Sequence, residues 1–253
     1  MIGARGTRHA SKSILTRVRR TSCPSHSGAS GGHMTALLAG ASGLIGREVA
    51  RLWAGPGDVH LLLRRAPRNT SPGQQVHVVD YSALPAMPAA EEAFCCLGTT
   101  IAVAGSKAAF RAVDFDAVLA FANAARKAGV TRFGVVSALG ANPASGSFYS
   151  RVKGEVEAAL ATVGFSTLVV ARPSLLAGDR AALNQAPRLA ERIALAIAGP
   201  LSPLIPAAWR PIQASTVARA LLLAVREAHP GVRVLTSGEM QRQFSTAPKS
   251  ATH

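Results

Sequence analysis

Acidic residues are scarce in this chain: 13 Asp and Glu stand against 28 Lys and Arg in 253 residues. Aromatic residues make up only 5%, with two Trp and two Tyr, and there are three cysteines, Cys23, Cys95 and Cys96. Each shortage excludes something. Three cysteines cannot build a disulfide scaffold, so a reducing compartment is expected. So few aromatics poorly supply a base-stacking nucleic-acid surface. Long apolar runs are missing too. Ile193–Trp209 is uncharged, but it is too short to span a bilayer and is broken by Pro200, Pro203 and Pro206. It reads as a buried helix and a Pro-rich loop covering a pocket, with no transmembrane segment. With 48% hydrophobic residues, the chain is long enough for a substantial core.

The net charge of +15 is unevenly spread. Residues 1–33 carry Arg5, Arg8, Lys12, Arg17, Arg19 and Arg20 and no acid. Beyond them the basic residues are scattered, with no run longer than Arg64-Arg65. A basic body attracts an anionic cofactor, but specific nucleic-acid binding is not expected. The first 33 residues lack an apolar core of the secretory type and end in a flexible Ser/Gly stretch. They read as a disordered basic extension and stand outside the fold reading. Two origins stay open for it: a mitochondrial transit peptide, or an upstream extension of a chain starting at Met34. The body is expected in the cytoplasm on the second reading and in the mitochondrial matrix on the first.

From Met34 short apolar runs alternate with helical periods. Strands are expected at 35–39, 59–63, 76–79, 93–97, 132–137, 166–171 and 232–235, and helices at 44–53, 108–127, 149–161 and 217–225. Apolar runs of this length suit parallel strands buried on both faces. The alternation implies an α/β fold: a doubly wound Rossmann-type parallel sheet with helices on both faces. It occupies 34–237, with a small substrate lobe at about 174–211 and a frayed polar tail over 238–253.

The stretch TALLAGASGLIGREVARLW, residues 35–53, places three spaced glycines between a strand and a helix. Gly40 permits the tight turn, Gly43 lets backbone approach a pyrophosphate, and Gly46 lets the helix pack close to the sheet. Ser42, Leu44 and Ile45 complete a turn whose N–H groups face the phosphates at a helix N-terminus. After the second strand come Arg64 and Arg65, where an NAD site would carry an acid. Two guanidiniums there fit a 2′-phosphate, which favours NADP(H) over NAD(H). Asp80, after the third strand, either accepts from the adenine amino group or caps a turn.

Tyr149 and Lys153 stand at i, i+4 on one helix face. A phenol of ordinary pKa about 10 is a poor acid–base group, and a nearby ammonium brings it toward working range. Tyr149 would protonate a carbonyl oxygen as hydride arrives, Ser137 at the preceding strand end would hold that oxygen, and Lys153 would also hold the ribose. Cys95 and Cys96 lie in a strand without further ligands, so no metal site is expected. The histidines form no pair or cluster by sequence spacing. No G-x-S-x-G is present, so a hydrolase is unsupported.

With these residues in place, the chain resembles the short-chain dehydrogenase/reductase superfamily in its atypical branch. More narrowly it resembles the Tat-interacting-protein-type oxidoreductases and their nucleoside-diphosphate-sugar epimerase-like relatives. The matching pieces are GASGLIG (40–46), CCLGTT (95–100), AGSKAAFRAVD (104–114), VSALGAN (136–142), YSRVKGEVE (149–157) and ARPSLLAGDR (171–180). The resemblance implies a Rossmann fold and NADP(H), with Gly98 and Thr99 beside the cofactor and Arg172 and Pro173 near the nicotinamide. Where relatives tend to have basic residues after CCLGTT, this chain has Ile101-Ala102-Val103. Three functions follow: an NADP(H)-dependent reductase of a small carbonyl compound, a non-catalytic NADP(H)-binding regulator, and an epimerase that keeps its cofactor. Such folds often pair through helices, so a homodimer is also an expectation.

Overall fold

The computed structural model describes residues 34–53, 57–67, 69–177 and 210–245. The expectations for residues 1–33 and for most of the substrate lobe, including 193–209, lie outside them. Seven parallel strands form one sheet in the order β3-β2-β1-β4-β5-β6-β9. They are β1 (Ala36–Ala39), β2 (Val59–Leu63), β3 (Gln74–Val78), β4 (Glu92–Cys95), β5 (Arg132–Val136), β6 (Thr167–Arg172) and β9 (Gly231–Thr236). Leu176–Ala177 (β7) and Ile212–Gln213 (β8) make a separate two-stranded ribbon. The helices are α1 (Leu44–Leu52), α2 (Ile101–Ala104), α3 (Lys107–Arg111), α4 (Val118–Lys127), α5 (Phe148–Ala161), α6 (Ala214–Arg226) and α7 (Ser237–Ser245).

The central strands are short apolar runs because both faces are covered. All four residues of β1 are buried: Ala36 and Leu38 face one core, Leu37 and Ala39 the other. The first core holds Ile45 and Val49 of α1 and Val217, Leu221 and Val225 of α6. Ile45 and Val49 stand one turn apart, so the helix presents one apolar stripe while Arg47 and Arg51 face water. The second core holds Val118, Phe121 and Ala125 of α4 and Val156 and Leu160 of α5. The doubly wound sheet expected from the alternation is therefore the fold found.

The strand order reverses between β1 and β4. All seven strands run the same way, so the loops after β1, β4, β5 and β6 gather along one edge, where ligands of open α/β sheets bind.

Several elements differ from the sequence reading. The helix expected over 108–127 is α3 and α4 joined by a π-helical turn, Ala112–Ala117. The apolar Ile101-Ala102-Val103 forms α2, capped by Thr100 Oγ1 accepting from Val103 N at 3.3 Å. The expected frayed tail is helical as far as Ser245: Met240 is fully buried, and Phe244, one turn on, packs against the first core. That pair anchors an otherwise polar segment.

Candidate functional site

The turn after β1 is shaped by its glycines. Gly40 has φ +84°, and a Cβ there would stand 2.5 Å from the carbonyl of Cys96. It is thus both left-handed and pressed against the β4 loop. Gly43 N–H donates to Gly40 O at 3.0 Å and closes the turn. A Cβ on Gly46 would meet Gly40 O at 2.1 Å, so α1 rests directly on the turn. A Cβ on Gly43, by contrast, would meet nothing closer than 3.4 Å. No side chain caps α1 at Gly43, and its first turn has no acid. A helix N-terminus so arranged suits phosphate oxygens. The turn fits a dinucleotide's pyrophosphate: Gly43 is small where nothing in the protein demands it.

Arg64 and Arg65 follow β2 and are exposed. Tyr81 is buried and its hydroxyl donates to the Leu62 carbonyl at 2.8 Å, tying the next loop to the same strand end. Asp80 is exposed and accepts from Ser82 N–H at 2.9 Å. It performs the turn cap read from the sequence, and hydrogen bonds from the Ser82 backbone and side chain hold its carboxyl below the ordinary range.

Across the strand reversal lies the second half of the site. Tyr149 is half-buried on α5, its ring centroid 5.4 Å from that of Phe110 on α3. Lys153, one turn on, is buried, and its Nζ lies 2.8 Å from Asp114 Oδ1. Asp114 is fully buried in the π-helical turn, and its Oδ2 accepts from Thr99 N–H at 2.8 Å. A Cβ on Gly98 would stand 3.6 Å from Asp114 Oδ1 and 3.8 Å from Lys153 Nζ. Gly98, Thr99, Lys153 and Asp114 thus meet at one point beside the glycine turn. Burial pushes the Lys153 ammonium toward losing its proton; the Asp114 and Tyr149 oxygens outweigh that and leave its pKa raised. The extra residue of a π turn is what this chain uses where Asp114 meets Lys153. Sequence reasoning missed Asp114. The available signal was an acid inside the apolar run AVDFDAVLAFA.

Ser137 directly follows β5 and has a partner that the sequence did not reveal. It is buried, and its hydroxyl donates to Glu157 Oε1. Arg172 holds the same carboxylate with two bonds, Nε to Oε1 at 3.1 Å and Nη2 to Oε2 at 2.5 Å. The Ser137 hydroxyl thus shares the Glu157 carboxylate with Arg172 and keeps a rotatable proton and two lone pairs. Pro173 is buried next to it and accepts from Leu139 N–H at 2.9 Å, which extends the β5–β6 pairing into the loops. Glu157 lies two turns beyond Tyr149 on the same face of α5, a spacing that could have suggested it. Gly154 completes that helix: a Cβ there would meet Pro143 N at 2.2 Å, so the loop after β5 lies flat on α5.

His60 Nδ1 and His77 Nε2 approach to 2.8 Å across β2 and β3, a pair that sequence spacing had not revealed. Cys95 is buried, its thiol pushed up to about 12 by burial. Among the described residues no group of three or more His, Cys, Asp or Glu could hold a metal ion. Nor is any described helix long and apolar enough to cross a membrane.

A family profile described as NAD(P)H-binding matches residues 40–173, just over half of the chain. Protein FMP52, mitochondrial, from Coccidioides immitis is 31% identical over 165 residues, covering 58% of this chain and 67% of that protein. Protein HTATIP2 from Rattus norvegicus is 42% identical over 107 residues, covering 41% of this chain and 44% of that protein. Among solved structures, UDP-N-acetylglucosamine 4-epimerase from Methanobrevibacter ruminantium superposes with a TM-score of 0.60 at 15% identity, covering 81% of this chain and 76% of that one. At that identity it shares the fold.

Proposed function

The chain belongs to the NAD(P)H-binding family, and from that premise we propose that it is an NADP(H)-dependent oxidoreductase acting on a small carbonyl or alcohol substrate. The observation that carries the proposal is the meeting of Lys153, Gly98 and Thr99 beside the glycine turn, with Tyr149 one helical turn away. The bound cofactor would supply or accept hydride. Everything else falls to the chain. The Gly40–Gly46 turn, with Ser42, Leu44 and Ile45, receives the pyrophosphate. Arg64 and Arg65 answer the 2′-phosphate by forked, charge-assisted bonds. Lys153 gives one of its three N–H donors to Asp114 and has two left for the ribose hydroxyls. Tyr149 moves the proton at the substrate oxygen. Ser137, held by Glu157, fixes the β5 loop together with Arg172 and Pro173. The basic body favours an anionic cofactor.

The test is NADPH consumption by the full chain across a panel of small aldehydes and ketones, with Tyr149→Phe as control. Turnover that the variant loses, while its NADPH affinity stays intact, supports the reading. Binding without turnover on any carbonyl points to the non-catalytic regulator. Cofactor that copurifies and is never consumed points to the epimerase. The compartment belongs to the same proposal: a fluorescent reporter carrying residues 1–33 that stays in the cytoplasm supports that placement, and mitochondrial import, in keeping with the names of the FMP52 relatives, replaces it.

A further inference from the structure

Strand β3 lies at the edge of the sheet, pairs there with β2, and none of its residues is fully buried. Leu61 of β2 and Val76 of β3 face the first core, so His60 and His77 point to the opposite face of the sheet. The register sets His60 against Gln75 and Leu62 against His77, which makes the two histidines diagonal neighbours on that face. Their rings stand 5.0 Å apart at 41°, and His60 Nδ1 approaches His77 Nε2 to 2.8 Å. Both side chains are half-buried, so water reaches them. Burial and His77 hold the His60 pKa below its ordinary value, which leaves that ring uncharged at neutral pH, the form that binds metals. The exposed carboxylate of Asp58, two residues before His60, acts on the ring from the same strand and favours a cation there.

We propose that His60 Nδ1 and His77 Nε2 form a two-histidine site for a divalent late transition-metal ion, zinc foremost, which clips the edge strand β3 to β2. Imidazole nitrogen suits zinc, copper and nickel, whereas magnesium and calcium prefer oxygen. Two nitrogens bound to tetrahedral zinc at about 2.0–2.1 Å stand about 3.3 Å apart, so the rings need to part by only about 0.5 Å. The hydrogen shared by the two facing nitrogens moves to the other nitrogen of its own ring, and both lone pairs then reach the ion. Water completes the shell. Two protein ligands make an exchangeable site, in keeping with the absence of a three-ligand group among the described residues. The clip joins the strands that lead into Arg64-Arg65 on one side and Asp80-Tyr81 on the other, so it holds those two strand ends together. The site itself is independent of the cofactor reading.

The experiment is thermal denaturation and calorimetric zinc titration of the full chain at neutral pH without nucleotide, on the wild type, His60→Gln and His77→Gln. Zinc chloride at about ten times its Kd is expected to raise the wild-type Tm by about 3–6 °C. Magnesium chloride should leave Tm where it is, and EDTA should reverse the zinc effect. Each variant should lose the rise and bind zinc at least tenfold more weakly. A wild type whose Tm zinc does not raise overturns the proposal. So does a rise that both variants keep, because the ion then sits on other ligands of the chain. Should a variant fail to fold, the wild type decides alone. Long-range proton–nitrogen correlation spectra of its imidazoles with zinc should show one ring bound through Nδ1 and one through Nε2. Rings bound through Nε2 alone, or no ring nitrogen displaced, overturn the proposal.

Discussion

Substituting alanine at Gly46 and, separately, at Gly43 separates two reasons for a glycine. At Gly46 the new Cβ would stand 2.1 Å from Gly40 O, 2.7 Å from Gly40 C and 2.9 Å from Ala41 Cα. All three are backbone atoms, so no side chain can swing away, and α1 must withdraw by about 1 Å. Overpacking of this kind costs about 3 kcal/mol, and the better helix propensity of alanine returns about 1 kcal/mol. The net loss of about 2 kcal/mol corresponds to a fall in Tm of about 4–8 °C for a domain of this size. At Gly43 the nearest atom to a new Cβ is 3.4 Å away, an ordinary contact. Stability should change by less than about 1 kcal/mol. If the turn cradles a pyrophosphate, however, that same Cβ intrudes on it, and NADPH affinity should fall at least tenfold, about 1.4 kcal/mol. Thermal denaturation followed by circular dichroism reads the first effect, and calorimetric titration with NADPH the second. A Gly46→Ala protein that melts with the wild type would refute the packing argument. A Gly43→Ala protein that binds NADPH as the wild type does would refute the cradle.

Two further outcomes follow from pairs that sequence spacing hid. Burial, then His77, hold the His60 pKa below its ordinary value, with Asp58 opposing weakly; the unfolded chain then binds the proton more readily. The stability this contributes is present above about pH 6.5 and is lost as the pH falls below that value toward the lowered pKa of the folded state. The drop in Tm between about pH 8 and about pH 5.5 should therefore shrink in His60→Gln, and an unchanged drop would count against the pair. Glu157→Ala strips Arg172 and Ser137 of their shared acceptor and should cost about 1–3 kcal/mol, read as a fall in Tm. A wild-type Tm would show that the three-residue link contributes nothing.

What could be read from the chain was local. The glycine turn needs a strand, three glycines and a helix within 19 residues, and the Tyr149–Lys153 face needs one helical turn. Both are periodicity arguments and depend on nothing distant. The partners that complete the site lie far along the chain. Asp114 is 39 residues before Lys153 and reaches it through a π turn that a strict helical period cannot reveal. Glu157 reaches Ser137 because α5 lies across the end of β5, a matter of packing between elements. His60 and His77 meet only after β2 pairs with β3. Glu92 opens β4 one residue before the strand expected at 93–97, and it is buried there because Arg132, its register partner on β5, reaches it at 2.9 Å.

The central claim is that this fold holds NADP(H) through the glycine turn and the paired arginines after β2. Calorimetric titration of the full chain with NADPH and with NADH, repeated on Arg64→Ala/Arg65→Ala, tests it most directly. The account predicts NADPH binding at least tenfold tighter than NADH, about 1.4 kcal/mol, and a double variant that loses this preference while keeping its NADH affinity. Equal affinities in the wild type would contradict the role given to Arg64 and Arg65, and binding of neither nucleotide would contradict the account as a whole.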